Sequence, residues 1–218
     1  MKGIVAENAR DLAVMINESL KTRDKRNTLR PFNRFDTERS MWWIVPPTDY
    51  PAYRFGKFFI GEDNGKLEVG LHVEKGLIQS ADQKRELMLD DSWVWHDFVE
   101  DMANSKVGNR LEAIQQTVGD DIGIEVRVEI PDLIDAGDER GKRSIGFRRG
   151  QWSDELSQEP TDLKILPDWV TSIEGIGWYW VDIFLTFTLA KHSEAQAGDW
   201  SAYDIVRHLL EPLEGWVR

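Results

Sequence analysis

The chain contains no cysteine. Disulfides, thiolate nucleophiles, iron–sulfur clusters and cysteine-based zinc sites are excluded. Histidine is scarce, with four in 218 residues. His96, His192 and His208 have no second ligand at metal spacing, so no metal ligand and no cofactor is assigned. Long apolar runs are missing too. The longest stretch, Ile176 to Ala190, is interrupted by Asp182, Thr186 and Thr188, and a membrane helix needs about 20 apolar residues. The opening MKGIVAENARDLAVMINESL has no apolar h-region and reads as an amphipathic helix rather than a secretion signal. The expectation is a cytoplasmic protein that does not enter a membrane. Local catalytic signatures are also lacking. There is no Gly-x-Ser-x-Gly, and Gly137 to Gly141 is one residue short of the Gly-to-Gly spacing of a phosphate loop, with Arg143 in place of the hydroxyl residue and with Asp138 and Glu139, which repel phosphate.

Charge is plentiful but lopsided, with a net value of -12. Such a balance disfavours binding to duplex DNA or anionic lipid at physiological salt. Two basic islands stand against it. Lys21 to Arg39 holds seven basic residues and three acids, and Arg140 to Arg149 holds five basic residues and no acid. Charge runs most often face water, so both read first as solvated loops.

The hydrophobic fraction of 41% supports a packed core in a chain of single-domain length. Val5, Leu12, Met15, Ile16 and Leu20 form one helical face, and Trp95, Phe98, Val99 and Met102 form another. Leu111, Ile114 and Val118 suggest a helix stopped by Gly119. Asn64-Gly65, between two strand-like runs, is a strong hairpin signal. Pairing Asp63 with Lys66 sets Phe58 opposite Leu71 and Lys57 opposite His72. Leu67, Val69, Leu71 and Val73 then face a core. Ile122 to Ile130 alternates cleanly, with Ser144 to Phe147 as its expected partner, and Trp178 to Ala190 reads as a long strand. A final helix capped by Asp199 or Ser201 buries Ile205, Leu209, Leu213 and Trp216 and bends at Pro212.

Hairpins with grouped helices predict an α+β fold, an antiparallel sheet packed with several helices in two layers. One domain is expected over residues 1–218, with a basic linker at about 21–40 and a long polar loop at about 151–167.

The aromatic stretch MWWIVPPTDYPAYRFGKFF, Met41 to Phe59, raises the functional question. Phe58 and Phe59 are adjacent, so in a strand they point to opposite faces. Phe59 lies over Gly70 on the second face, with Phe55, Lys57, His72, Glu74 and Glu68. Two functions follow as expectations. The first is a binding protein that presents this aromatic face through Phe55, Lys57 and Phe59, to a protein partner, a second copy or an unidentified small molecule. The second is an enzyme acting on a phosphate-bearing or nucleic-acid substrate. In that reading His72, Glu74 and Glu68 do acid–base work and Arg148 and Arg149 bind the substrate.

Overall fold

Asn64 and Gly65 turn the chain with φ of 47° and 74°, the positive pair that a two-residue hairpin turn requires. The resulting hairpin supplies the third and fourth strands across an eight-stranded sheet that is antiparallel throughout. This computed structural model describes residues 6–21, 31–37, 40–43, 56–76, 93–120, 122–174, 180–189 and 201–217. The strands are β1 (Arg34–Asp36), β2 (Met41–Trp43), β3 (Lys57–Asp63), β4 (Lys66–Gly76), β5 (Ile122–Glu129), β6 (Lys142–Arg148), β7 (Gln151–Asp154) and β8 (Trp180–Leu189). Their spatial order is β1-β2-β3-β4-β8-β5-β6-β7. Among the described residues there are six helices: α1 (Ala9–Lys21), α2 (Trp93–Ala103), α3 (Lys106–Val118), α4 (Pro131–Asp135), α5 (Ile165–Glu174) and α6 (Ala202–Ile205). The fold is α+β.

The β3–β4 register is the expected one, with Asp63 opposite Lys66, Phe58 opposite Leu71 and Lys57 opposite His72. β8 is last in the chain yet central in the sheet, inserted between β4 and β5. A strand buried on both faces reads as a nearly continuous apolar run, and Val181 to Phe187 is buried at every position, Asp182 and Thr186 included.

Leu67, Val69, Leu71 and Val73 share the first face with Ile183, Leu185, Val126 and Val128, and all are buried. The helical stripes close over this face in one apolar cluster. Leu12 and Ile16 come from α1, Phe98 and Met102 from α2, and Leu111 and Ile114 from α3. At the C-terminal end Ser201 and Asp204 form a reciprocal capping box. Beyond α6 the chain widens into a π turn at Val206–Leu210 and tightens into a 3₁₀ segment at Glu211–Trp216. Pro212 supplies no N–H to an α-helical ladder, so the pitch changes where it enters. Ile205, Leu209, Leu213 and Trp216 are buried as expected.

Two segments hold more structure than their composition suggests. Within 21–40, β1 joins the sheet edge. Phe32 just before it is clamped to α1, its N–H donating to Asn17 Oδ1 and its carbonyl accepting from Asn17 Nδ2. Within 151–167, β7 pairs with β6 through a turn in which Arg149 and Gly150 have φ of 53° and 79°, and α5 starts at Ile165. Both strands are too short, at three and four residues, to show a period-two pattern. No helix among the described residues is long and apolar enough to cross a membrane.

Candidate functional site

Strand alternation carries a second set of side chains to the other face, and the registers arrange them in rows across the sheet. Lys57, His72, Phe184, Arg127 and Ser144 lie side by side from β3 to β6. Glu74, Asp182, Glu129 and Lys142 form the next row, from β4 to β6. On the opposite side run Phe59, Gly70, Thr186, Glu125 and Gly146, and then Gly61, Glu68, Thr188 and Gly123. This face therefore has an end rich in rings and ion pairs and another built from Glu68, threonines and glycines.

The first end is closed. Trp43, Phe59 and Phe184 form a small apolar cluster separate from the main core. Phe59 meets Phe184 edge-on at 5.6 Å, and the His72 imidazole stacks on Phe184 at 4.6 Å and tilts against Trp43 at 5.0 Å. Phe59 sits over Gly70, where a Cβ would stand 3.0 Å from the Phe59 ring and 1.9 Å from the Leu185 carbonyl oxygen. Only glycine lets the ring and the strands approach so closely.

His72 Nε2 lies 2.8 Å from Asp182 Oδ1, with both residues 1% exposed. Burial pushes the imidazole below its ordinary value, while the Asp182 carboxylate pulls the other way. The neutral ring donates from Nε2, because a carboxylate can only accept. Its Nδ1 is left as a buried acceptor without a hydrogen-bond partner among the described residues. Beside it the Lys57 ammonium pairs with Glu74 and lies 5.4 Å from the Trp43 ring centre. The Arg127 guanidinium pairs with Glu129 at 2.8 Å and covers Phe184 at 5.1 Å. One ligand atom each from His72, Glu74 and Asp182 lies within 4.8 Å of the others. That nitrogen and oxygen donor set suits a divalent ion such as zinc or manganese. Each of the three already holds a protein partner.

The second end opens into a cleft of about 600 Å³. Glu68, Thr188, Gly123 and Glu125 line it from the sheet face, Asp63 and Lys66 from the hairpin, Gln115 from α3, and Arg148 and Arg149 from the β6–β7 turn. Glu68 is 4% exposed, and its Oε2 has no hydrogen-bond partner among the described residues. Burial raises its carboxyl to about 6, with Asp63 and Glu125 reinforcing the rise and Arg127 opposing it.

The candidate residues therefore fall into two groups. His72, Glu74, Lys57 and Phe59 meet at the closed end, whereas Glu68, Arg148 and Arg149 belong to the cleft. Phe55 lies outside the described residues. Phe59, expected to offer an aromatic surface, is 0% exposed, because Trp43 and Phe184 pack around it. The candidates read from the sequence do not include Asp182 or Gln115. For Asp182 a signal existed, a lone acid inside Val181-Asp182-Ile183-Phe184. Its pairing with His72 depends on β8 lying beside β4, 110 residues later in the chain. The chain matches no protein-family model, no curated protein and no solved structure.

Proposed function

We propose that this chain is a binding protein whose ligand site is the cleft at the Glu68 end of the sheet's second face. One observation carries the reading: a buried carboxyl with an oxygen that has no hydrogen-bond partner among the described residues lines an open cleft. Buried polar groups are nearly always hydrogen-bonded, and an exception at a cleft is a place where a ligand supplies the missing partner. The volume of about 600 Å³ falls in the range of small-molecule sites.

Catalysis through His72 is the weaker reading. The cleft brings Glu68 together with Arg148 and Arg149, but His72 and Glu74 are not among its lining residues. A phosphate-bearing substrate also finds little free basic charge. Arg140 pairs with Asp138, Lys142 with Glu129, Arg143 with Asp154 and Arg148 with Glu155. The same pairing speaks against duplex DNA as a partner. A cytoplasmic location belongs to this proposal, and cell fractionation tests it.

The test is a small-molecule library screened by amide chemical shifts on labelled protein. Binding should move the amides of Glu68, Gly123, Thr188 and Arg148 together. Shifts centred on His72 and Phe184 would return the site to the closed end, and a library without effect on cleft amides would remove the proposal.

A further inference from the structure

Resting on the reading of the cleft as a ligand site, we infer that its ligand carries an organic cation, an ammonium or guanidinium group, received by Glu68 and Gln115. Two residues of the cleft lining carry orphan acceptors. Glu68 Oε2 and Gln115 Oε1 are both buried without a hydrogen-bond partner among the described residues. Gln115 is 8% exposed. Its orientation is fixed by its own contacts, since Nε2 faces the Gly119 carbonyl at 3.4 Å and Asp120 Oδ1 at 3.5 Å. Turning the amide over would set oxygen against two oxygens. Two buried acceptors lacking donors call for a ligand made of donors. Ammonium offers three N–H groups and guanidinium five, with no acceptor on either.

The charge of the lining agrees. Five carboxyl side chains face three basic ones. Arg148 is turned to Glu155 at 3.6 Å, and Lys66 and Arg149 are exposed, as are Asp63 and Asp120, which leaves Glu68 and the half-buried Glu125 as the charged groups of the inner lining. The charged groups acting on Glu68 are Asp63 on β3, Glu125 and Arg127 on β5 and Lys142 on β6. Burial lifts its carboxyl above the ordinary range, Arg127 and Lys142 oppose the rise, and the two acids add to it. A bound cation favours the ionised carboxylate and should release a proton when it binds near pH 6.

The cation could be a free amine or a basic side chain of a peptide, and the test separates them. Titrations of the whole chain at pH 7.5 and low salt use 1,4-diaminobutane, N-acetyl-arginine methylamide, calcium chloride, 1-butanol and inorganic pyrophosphate. An organic cation should bind at least tenfold more tightly than 1-butanol or pyrophosphate. Preference for the diamine marks a free amine, and preference for the arginine derivative marks a peptide side chain. Glu68→Gln, which keeps the shape and removes the charge, should weaken binding at least tenfold. Glu125→Gln, a more peripheral change, should weaken it less. Affinity should fall about tenfold from pH 7.5 to 5, one pH unit below the Glu68 value of about 6. Binding of pyrophosphate or calcium at cleft amides without binding of either organic cation would overturn the inference and leave the cleft reading standing. Cation binding unchanged in Glu68→Gln would overturn the inference as well. No shift at cleft amides with any probe would remove both.

Discussion

The two ends of one sheet face solve the burial of ionisable groups in opposite ways. Around His72 each buried ionisable group has an oppositely charged neighbour, Asp182 for the imidazole, Glu74 for Lys57 and Glu129 for Arg127, with rings over the cations, and the atoms left without a hydrogen bond among the described residues, such as His72 Nδ1, are shut away from any cleft. Around Glu68 the carboxyl is buried beside a cleft with an oxygen unmet. The first arrangement is what stability favours, since an unmet buried polar group costs about 1–3 kcal/mol. The second gives stability away at the place where a ligand can restore it. The open end therefore carries the functional proposal, although the histidine and the aromatic rings are at the closed one.

Substitutions should widen or erase this contrast, beginning with the closed end. Phe59→Ala removes a ring at 0% exposure, packed on Phe184 and Trp43. It should lower unfolding free energy in a urea titration by about 3–5 kcal/mol. A loss within about 0.5 kcal/mol would show that the ring behaves as a surface group. Asp182→Ala leaves the His72 Nε2–H buried without its carboxylate, and the loss should be about 2–3 kcal/mol, as for hydrogen bonds to charged groups.

The open end should respond with the opposite sign. The Glu68 carboxyl rises from 4.5 to about 6 on folding. The native state therefore binds more protons than the unfolded chain in that window, and stability falls as pH rises through it. At neutral pH the deficit is about 2 kcal/mol. Glu68→Gln should recover about 1–2 kcal/mol at pH 7.5 and nothing below pH 4.5, read from urea midpoints across pH. A destabilised Glu68→Gln at pH 7.5 would mean that the carboxylate has a favourable partner after all.

His72 supplies the mirror image. Its folded value is lowered, so the unfolded chain takes up a proton that the buried ring refuses, and stability is lost as pH falls below about 6.5. His72→Gln should flatten that branch while leaving the Glu68 branch in place. The smallest effect belongs to Arg148→Ala. Its ion pair with Glu155 is largely exposed and spans 3.6 Å, and its removal should change stability by less than about 0.5 kcal/mol. A larger loss would show that the β6–β7 turn depends on this pair.

Much of this molecule is written locally. Asn64-Gly65 fixes a hairpin, the hairpin fixes its register, and period-two alternation then assigns Phe58 to the core and Phe59, His72 and Glu68 to the other face. The helical stripes of α1, α2 and α3, the pairing of β5 with β6 and the Pro212 bend are equally legible, because each rests on residues near one another in the chain. The neighbours of the hairpin are not legible in this way. Whether β8 lies beside β4 or at an edge leaves the same local pattern of apolar residues, so the Asp182 partner of His72 is invisible until the strands are placed. The same holds for Gln115, a polar residue on an otherwise ordinary amphipathic helix, which meets the cleft only because α3 ends beside β5. The sequence by itself determined which side chains share the second face. The tertiary structure decided which of them are paired and buried shut and which are buried beside open space, because both outcomes depend on contacts between strands and helices far apart in the chain.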